Sequence, residues 1–233
     1  MEQHIGIVIV AGGSGKRCGG GIPKQFRFLG MKPVLAHTIE RFKTALPTAE
    51  IVVVLPEEHI DFWKNLAARF PIAAHRVVAG GTERFFSVRN GIDALGKDVE
   101  LIAIQDGVRP LCTKECIQRT LDAALEFGAA IPAIQPADSF REVDAAGCSK
   151  IIDRSLLRCV QTPQIFKAEL LRRAYQASFD PRFTDDASVV EALGATITLV
   201  EGERTNLKIT TNEDFILANA ILEAEAEKAQ ETK

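Results

Sequence analysis

Five short runs of the chain are apolar almost from end to end: "IGIVIV" (5–10), "IVVVLP" (51–56), "HRVVAG" (75–80), "LIAIQD" (101–106) and "AAIPAI" (129–134). A strand with one wet face alternates apolar and polar side chains, whereas a strand without that alternation is covered on both faces. Helices must supply the cover, and the intervening stretches have helical period. Phe85, Val88, Ile92 and Leu95 make one apolar stripe, and Ile117, Leu121 and Leu125 make another, with Thr113 placed to cap its start. Strands alternating with helices join in parallel through crossover connections. The expected fold is therefore α/β: an open, mostly parallel Rossmann-like sheet with helices on both faces. The 233 residues suit a single domain over 1–233.

One segment breaks the alternation. In "ADSFREVDAAGCSKIIDRSLLRCVQTPQIF" (137–166), Ser139–Val143 and Lys150–Arg154 alternate in strand fashion around the turn-prone "DAAG". This predicts a β-hairpin arm at about 137–160. A lone hairpin is marginal in water, so the arm is expected to pack on something, with a second copy of the chain as the candidate. Further on, Thr211 is placed to cap a last helix running to about Gln230, with Asp214 at the capping-box position. The terminal "EAEAEKAQETK" is expected to be a solvated or frayed tail.

The net charge is -3, which argues against a broad nucleic-acid surface, so any anionic ligand must be met by a local cluster of cations. The five cysteines (Cys18, Cys112, Cys116, Cys148, Cys159) form no CxxC pair, and no histidine stands at metal-ligand spacing from them. Reduced thiols in a cytoplasmic protein are the expectation. The start, Met-Glu-Gln-His, lacks the basic region of a secretory signal. No apolar run approaches the ~20 residues of a membrane span, and no membrane association is expected.

The chemistry concentrates in "IVIVAGGSGKRCGGGIPKQ" (7–25), where glycines and cations follow the first strand without a break. Glycines let backbone N–H groups turn toward an anion with no Cβ in the way. In open α/β sheets ligands bind beyond the carboxyl ends of the strands, so this loop and "QDGVRP" (105–110) are expected to line one crevice. The loop is no P-loop, because Val10 and Arg17 occupy the first and last positions of G-x-x-x-x-G-K-[ST]. Nor is it a dinucleotide fingerprint, because G-x-G-x-x-G begun at Gly13 and Gly15 reaches Cys18. Arg17 and Lys24 flank the glycine run, and Pro23 fixes the approach to Lys24. Two cations folding back on one phosphate suit phosphoryl or nucleotidyl transfer. A solvated basic loop, its glycines serving flexibility, is the alternative.

The loop "AGGSGKRCGGGIPKQ" resembles that of the nucleotidyltransferases that join a polyol phosphate to a nucleoside monophosphate. It is most similar to the 2-C-methyl-D-erythritol 4-phosphate cytidylyltransferase family of the non-mevalonate isoprenoid pathway. "GGTERFFSV" (80–88), "QDGVRP" (105–110), "DR" (153–154), "TPQIF" (162–166), "TDDAS" (184–188) and "NLKIT" (206–210) match that family in the same order. The resemblance implies the nucleotide-diphospho-sugar transferase type of fold and a homodimer built through the arm. It implies CTP as co-substrate, its triphosphate on Ala11, Gly12, Gly13, Ser14, Gly15 and Lys16, and its cytosine held by Gly80, Gly81 and Ser87. Arg17 and Lys24 would stabilise charge at the α-phosphorus, a role on the scale of ~3–4 kcal/mol. Asp106 would meet Mg²⁺ directly or through water. Arg109, Ser139, Arg154, Thr184 and Lys208 would hold the polyol phosphate, with Arg154 reaching the partner's site. Arg154 and Lys208 would aim the attacking phosphate, where geometry is worth ~7 kcal/mol or more.

Each role has a bland alternative. Thr82 would serve as a helix N-cap after Gly80–Gly81, and Thr184 as another. Asp106 would form a turn before Gly107. Arg109, Arg154 and Lys208 would be surface charges. Tyr175 reads as core or surface fill. Gln105 stands where the family usually has His, and Cys18 where it more often has Met. Ribitol 5-phosphate cytidylyltransferases share the loop and most motifs. A non-catalytic nucleotide-sensing subunit would have shed one of the loop cations. A dinucleotide oxidoreductase would carry an acidic residue after "VVLP" (53–56), which is absent.

Overall fold

A computed structural model describes residues 3–13 and 21–231. The elements in chain order are strand β1 (Ile5–Val10), the short strands β2 (Phe28–Leu29) and β3 (Lys32–Pro33), and helix α1 (Val34–Ala45). Then come β4 (Glu50–Leu55), α2 (Ile60–Ala67), β5 (Arg76–Ala79), α3 (Arg84–Ala94), β6 (Leu101–Asp106), α4 (Lys114–Phe127) and β7 (Ala129–Ile134). The arm is β8 (Phe140–Val143) and β9 (Ser149–Ile152), followed by β10 (Cys159–Val160) and β11 (Gln164–Lys167). Helices α5 (Ala168–Ala174) and α6 (Asp186–Glu191), strand β12 (Thr198–Glu201) and helix α7 (Asn212–Glu231) complete the chain.

The main sheet has eight strands in the order β10, β7, β11, β6, β1, β4, β5, with β12 paired to β7. β1 runs parallel to both β4 and β6, β4 to β5, and β7 to β12. β11 inserts antiparallel between β6 and β7, and β10 is antiparallel to β7. The two faces separate cleanly by residue parity. Ile7, Ile9, Ile51, Val53, Leu101 and Ala103 enter a core shared with α1, α4 and Trp63. Val8, Val52, Val54, Ile102 and Ile104 enter a second core with the α3 stripe Phe85, Val88, Ile92 and Leu95. The side chains of a strand point alternately up and down, so an unbroken apolar run feeds both cores. Helix α3 lies close on the sheet at Gly91, where a Cβ would fall 2.3 Å from Val8 Cγ1.

Thr113 caps α4 as expected, its hydroxyl accepting from the Cys116 N–H at 3.1 Å. Thr211 and Asp214 form the expected reciprocal cap of α7. That helix runs to Glu231, close to the expected end at about Gln230, and its last turns are largely exposed. Two cap assignments move by one residue. Glu83, not Thr82, holds the N-cap position of α3, with no side-chain cap bond. Asp185, not Thr184, caps α6, in a reciprocal box with Ser188.

The arm has Phe140 opposite Ile152 and Val143 opposite Ser149. Asp144 closes its turn by accepting from the N–H groups of Ala146 and Cys148. Phe140, Val143 and Ile151 are exposed along it, as is Leu156 just beyond. Cys112 and Cys116 are buried thiols, and Cys148 and Cys159 are exposed ones. Among the described residues no helix is long and apolar enough to cross a membrane.

Helix α1 carries a pH-sensitive group. The His37 imidazole donates to the Leu29 carbonyl at 2.8 Å. Burial holds it below its ordinary value of 6.5, outweighing that bond and Glu40. Its share of stability is complete above that value and is lost as pH falls through the lowered folded value, because the unfolded chain then binds the extra proton. His37→Gln should flatten the decline of chemical-denaturation midpoints on the acid side of neutrality relative to the parent chain.

Candidate functional site

Strand ends meet around one cavity of ≈ 320 Å³. Ala11, Gly12 and Gly13 follow β1, Pro56 follows β4, Gly80 and Gly81 follow β5, and Asp106 ends β6. Lys24, Gln25, Arg84, Ser87 and Lys208 complete most of the lining. The glycine loop and "QDGVRP" thus share the crevice that the sheet topology calls for.

Lys24 stands on a 3₁₀ turn, Lys24–Phe26, that begins after Pro23. Phe26 anchors the turn: it is buried and stacks on Trp63 with ring centroids 5.9 Å apart. Gln25 is buried and donates from Nε2 to the Ala11 carbonyl at 2.9 Å, fastening the turn to the end of β1. Lys24 is only 8% exposed. A Cβ on Gly13 would lie 3.7 Å from Lys24 Cε, so the lysine stem runs along that glycine.

Gly80, Gly81 and Ser87 come together as one slot. The Gly81 N–H donates to Ser87 Oγ at 3.1 Å, and Ser87 Oγ donates to the Glu83 carbonyl at 3.1 Å. A Cβ on Gly81 would lie 2.4 Å from Phe86 Cβ, and one on Gly80 2.8 Å from Ser87 Oγ, so the slot exists only with bare backbone.

Asp106 gathers cations. Its Oδ2 lies 2.9 Å from Lys208 Nζ and 3.5 Å from Arg109 Nε, and its Oδ1 lies 4.0 Å from Arg84 Nη2. Burial pushes this carboxyl up, but Lys208, Arg84 and Arg109 outweigh it and hold it below the ordinary carboxylate range. It is therefore ionised at neutral pH. The Asp106 N–H donates to Thr162 Oγ1 at 3.1 Å.

Lys208 reaches Asp106 because its loop is fastened on both sides. Asn206, fully buried, donates from Nδ2 to the Thr162 carbonyl at 2.9 Å, and its own carbonyl accepts from Arg109 Nη1 at 2.7 Å. One residue beyond Lys208, the Ile209 N–H donates to the Val108 carbonyl at 2.9 Å.

The expected site residues divide into three groups. Ala11, Gly12, Gly13, Lys24, Gly80, Gly81, Ser87, Asp106 and Lys208 share the cavity. Ser14, Gly15, Lys16 and Arg17 lie outside the described residues. Arg109, Ser139, Arg154 and Thr184 are not on the cavity lining. Arg109 is a half-buried strut between Asp106 and Asn206 rather than a freely solvated surface charge. Arg154 follows the arm in a 3₁₀ turn and donates to the Ala137 carbonyl at 2.6 Å. Ser139 and Thr184 are exposed. Gln105, at the usual His position, is buried and donates to the Arg109 carbonyl at 3.1 Å.

Three residues without an assigned role form a network that runs from the cavity wall at Arg84 into the interior. Arg84 forks onto Asp186, Nη1 to Oδ1 at 2.9 Å and Nη2 to Oδ2 at 2.7 Å. Tyr175 is a core residue as expected, and its hydroxyl in addition donates to Asp186 Oδ1 at 2.6 Å. Burial, then Asp186, push the phenol well up from its ordinary value. Arg84 was visible inside "GGTERFFSV" and Asp186 inside "TDDAS", but nothing local pairs positions so far apart in the chain.

Among the described residues no group of three or more His, Cys, Asp or Glu side chains could hold a metal ion. Asp106 places an ionised carboxylate on the cavity lining, which suits a Mg²⁺ that brings most of its oxygen ligands with a triphosphate.

The model of the 2-C-methyl-D-erythritol 4-phosphate cytidylyltransferase family matches residues 5–224. A protein of that name from Bacteroides thetaiotaomicron is 45% identical over 223 residues, covering 95% of this chain and 100% of that one. A relative of the same name from Syntrophus aciditrophicus is 39% identical over 230 residues, covering 97% of this chain and 98% of that one. The crystal structure of the 4-diphosphocytidyl-2C-methyl-D-erythritol synthase of Anaerococcus prevotii is similar with a TM-score of 0.81 at 28% identity, covering 95% and 97% of the two chains.

Proposed function

The chain belongs to the 2-C-methyl-D-erythritol 4-phosphate cytidylyltransferase family, and we propose that it transfers CMP from CTP to 2-C-methyl-D-erythritol 4-phosphate. The products are 4-diphosphocytidyl-2-C-methyl-D-erythritol and pyrophosphate, in non-mevalonate isoprenoid precursor synthesis. The observation that carries this reading is the family match along nearly the whole chain. The shared cavity of the glycine loop, Lys24, Asp106 and Lys208 supports it.

In this mechanism an oxygen of the polyol phosphate attacks the α-phosphorus of CTP, the bond to the bridging oxygen of the β-phosphate breaks, and pyrophosphate leaves. The nucleophile is already ionised near neutral pH, so the chain need supply no general base. Cytosine enters the slot of Gly80, Gly81 and Ser87. Arg17 and Lys24 receive the charge that builds at the α-phosphorus, and the backbone from Ala11 to Lys16 takes the triphosphate. Lys208 and Arg154 aim the attacking phosphate, assisted by Ser139, Thr184 and Arg109. Asp106 would hold Mg²⁺ directly or through water, and there the ion would supply neutralisation of phosphate charge.

Pyrophosphate release from CTP, measured with 2-C-methyl-D-erythritol 4-phosphate and with ribitol 5-phosphate, tests the assignment. A higher kcat/KM with the methylerythritol substrate is expected. Preference for ribitol phosphate, or no release with either, overturns it.

A homodimer in which the arm carries Arg154 into the partner's site belongs to the same proposal. The exposed apolar side chains of the arm and the position of Arg154 off its own chain's cavity support it. Arg154→Ala and Lys208→Ala chains should each be nearly inactive alone, and mixed dimers should recover one working site. Activity that stays absent after mixing means each site is built within one chain. A cytoplasmic location fits the intracellular supply of CTP and the expectation of reduced thiols.

A further inference from the structure

We propose that Arg84 is a positioning residue for cytidylyl transfer, holding the Asp106 carboxylate from the side opposite Lys208. The inference rests on the functional reading above and concerns the same site.

The two oxygens of Asp106 have different partners. Oδ2 faces Lys208 and Arg109, at 2.9 and 3.5 Å. Oδ1 faces Arg84 at 4.0 Å. A carboxylate drawn by cations on one oxygen alone swings toward them; a cation on the second oxygen fixes its plane. Arg84 can do this because it is itself immobilised. Its fork spends both Nη atoms on Asp186, a carboxylate with no solvent exposure. Asp186 is held in turn by the Tyr175 hydroxyl, and its N–H donates to Gln164 Oε1 at 3.0 Å. A planar guanidinium clamped in this way places Nη2 reproducibly, which a lysine ammonium would not. Arg84 also begins α3, directly after the glycine slot, and lines the cavity. One side chain therefore ties the expected cytosine slot to the carboxylate at the end of β6.

A merely structural Arg84 would serve only to neutralise buried Asp186. Arg84→Met by itself leaves that charge unpaired and risks unfolding the chain. The informative variant is Arg84→Met/Asp186→Asn, which removes both charges and keeps an acceptor for Tyr175. If Arg84 positions Asp106, the double variant stays folded by denaturation but loses about 10–100-fold in kcat, the cost of a misplacement near 1 Å. KM for CTP should stay within a few-fold, because the glycine loop and the slot residues Gly80, Gly81 and Ser87 keep their own side chains and backbone bonds. A kcat restored to within a few-fold of the parent would make the pair structural and overturn the proposal. The crystal structure of the double variant gives a readout independent of turnover. The Asp106 carboxylate should rotate or shift relative to Lys208; an unmoved carboxylate overturns the proposal even if the parent chain proves inactive with both polyol phosphates. Inactivity of the parent alone counts against the functional reading and leaves this structural outcome decisive.

Discussion

Lys24→Ala is expected to lower kcat for pyrophosphate release by about 10²–10³-fold, ~3–4 kcal/mol of barrier, with KM for CTP changing much less. The reason is where the charge lies and when it appears. The triphosphate is anionic throughout, and a cation that met it equally at all stages would alter binding alone. Charge grows on the oxygens around the α-phosphorus only during transfer, and a cation fixed there acts on the transition state. Lys24 is 8% exposed, set on a turn locked by Phe26 and Gln25, with its stem along Gly13. In that shielded position its interaction is weakly screened and needs little reorganisation. Arg17→Ala should behave alike, and the pair should be less than additive if, as proposed, both act on one phosphorus. The substitution removes a buried charge and leaves the packing of Phe26 in place, so denaturation midpoints should stay near the parent value. Near-normal kcat in a folded Lys24→Ala protein would remove the residue from the chemistry.

The parts of this molecule most legible in the sequence are those governed by local pattern. β1, β6 and β7 fall on the predicted runs residue for residue, because strands buried on both faces read as near-continuous apolar stretches. The caps at Thr113 and Thr211 were legible for the same reason: a side-chain oxygen and an orphan N–H lie within one turn. The insertion of β11 between β6 and β7 was not, since strand order is decided by partners far along the chain. "TPQIF" drew attention as a motif, and the fold shows why its residues matter: Thr162 fastens Asp106, and Gln164 accepts from the N–H groups of Asp186 and Ala187. That second contact also explains the misplaced cap. Thr184 and Asp185 are both good N-cap types, and Gln164 fixes the helix start at Asp186, so Asp185 takes the position. Arg109 looked like a surface charge because nothing nearby in sequence announces its partner, the Asn206 carbonyl.

Asp186→Ala is the largest stability loss expected from one side chain outside the two cores: about 3 kcal/mol, the low end of the range for breaking a buried ion pair. Asp186 is fully buried and meets the Arg84 fork, the Tyr175 hydroxyl and, through its backbone, Gln164. Truncation strands a guanidinium and a phenol at once, and each loses a partner it cannot replace from solvent without moving. The Arg84 side chain is 32% exposed, so it can turn partly to water, and that relief keeps the expected loss at the low end. Asp186→Asn should cost less than Asp186→Ala, because the amide oxygen still accepts from Tyr175, although one amide cannot accept both prongs of the fork. Tyr175→Phe should cost least, about 1 kcal/mol, as it removes one donor and leaves the ion pair whole. The order Ala, Asn, then Tyr175→Phe, read from urea denaturation midpoints at constant slope, is what this network requires. An Asp186→Ala protein as stable as its parent would mean that the fork contributes nothing to holding α3 against α6.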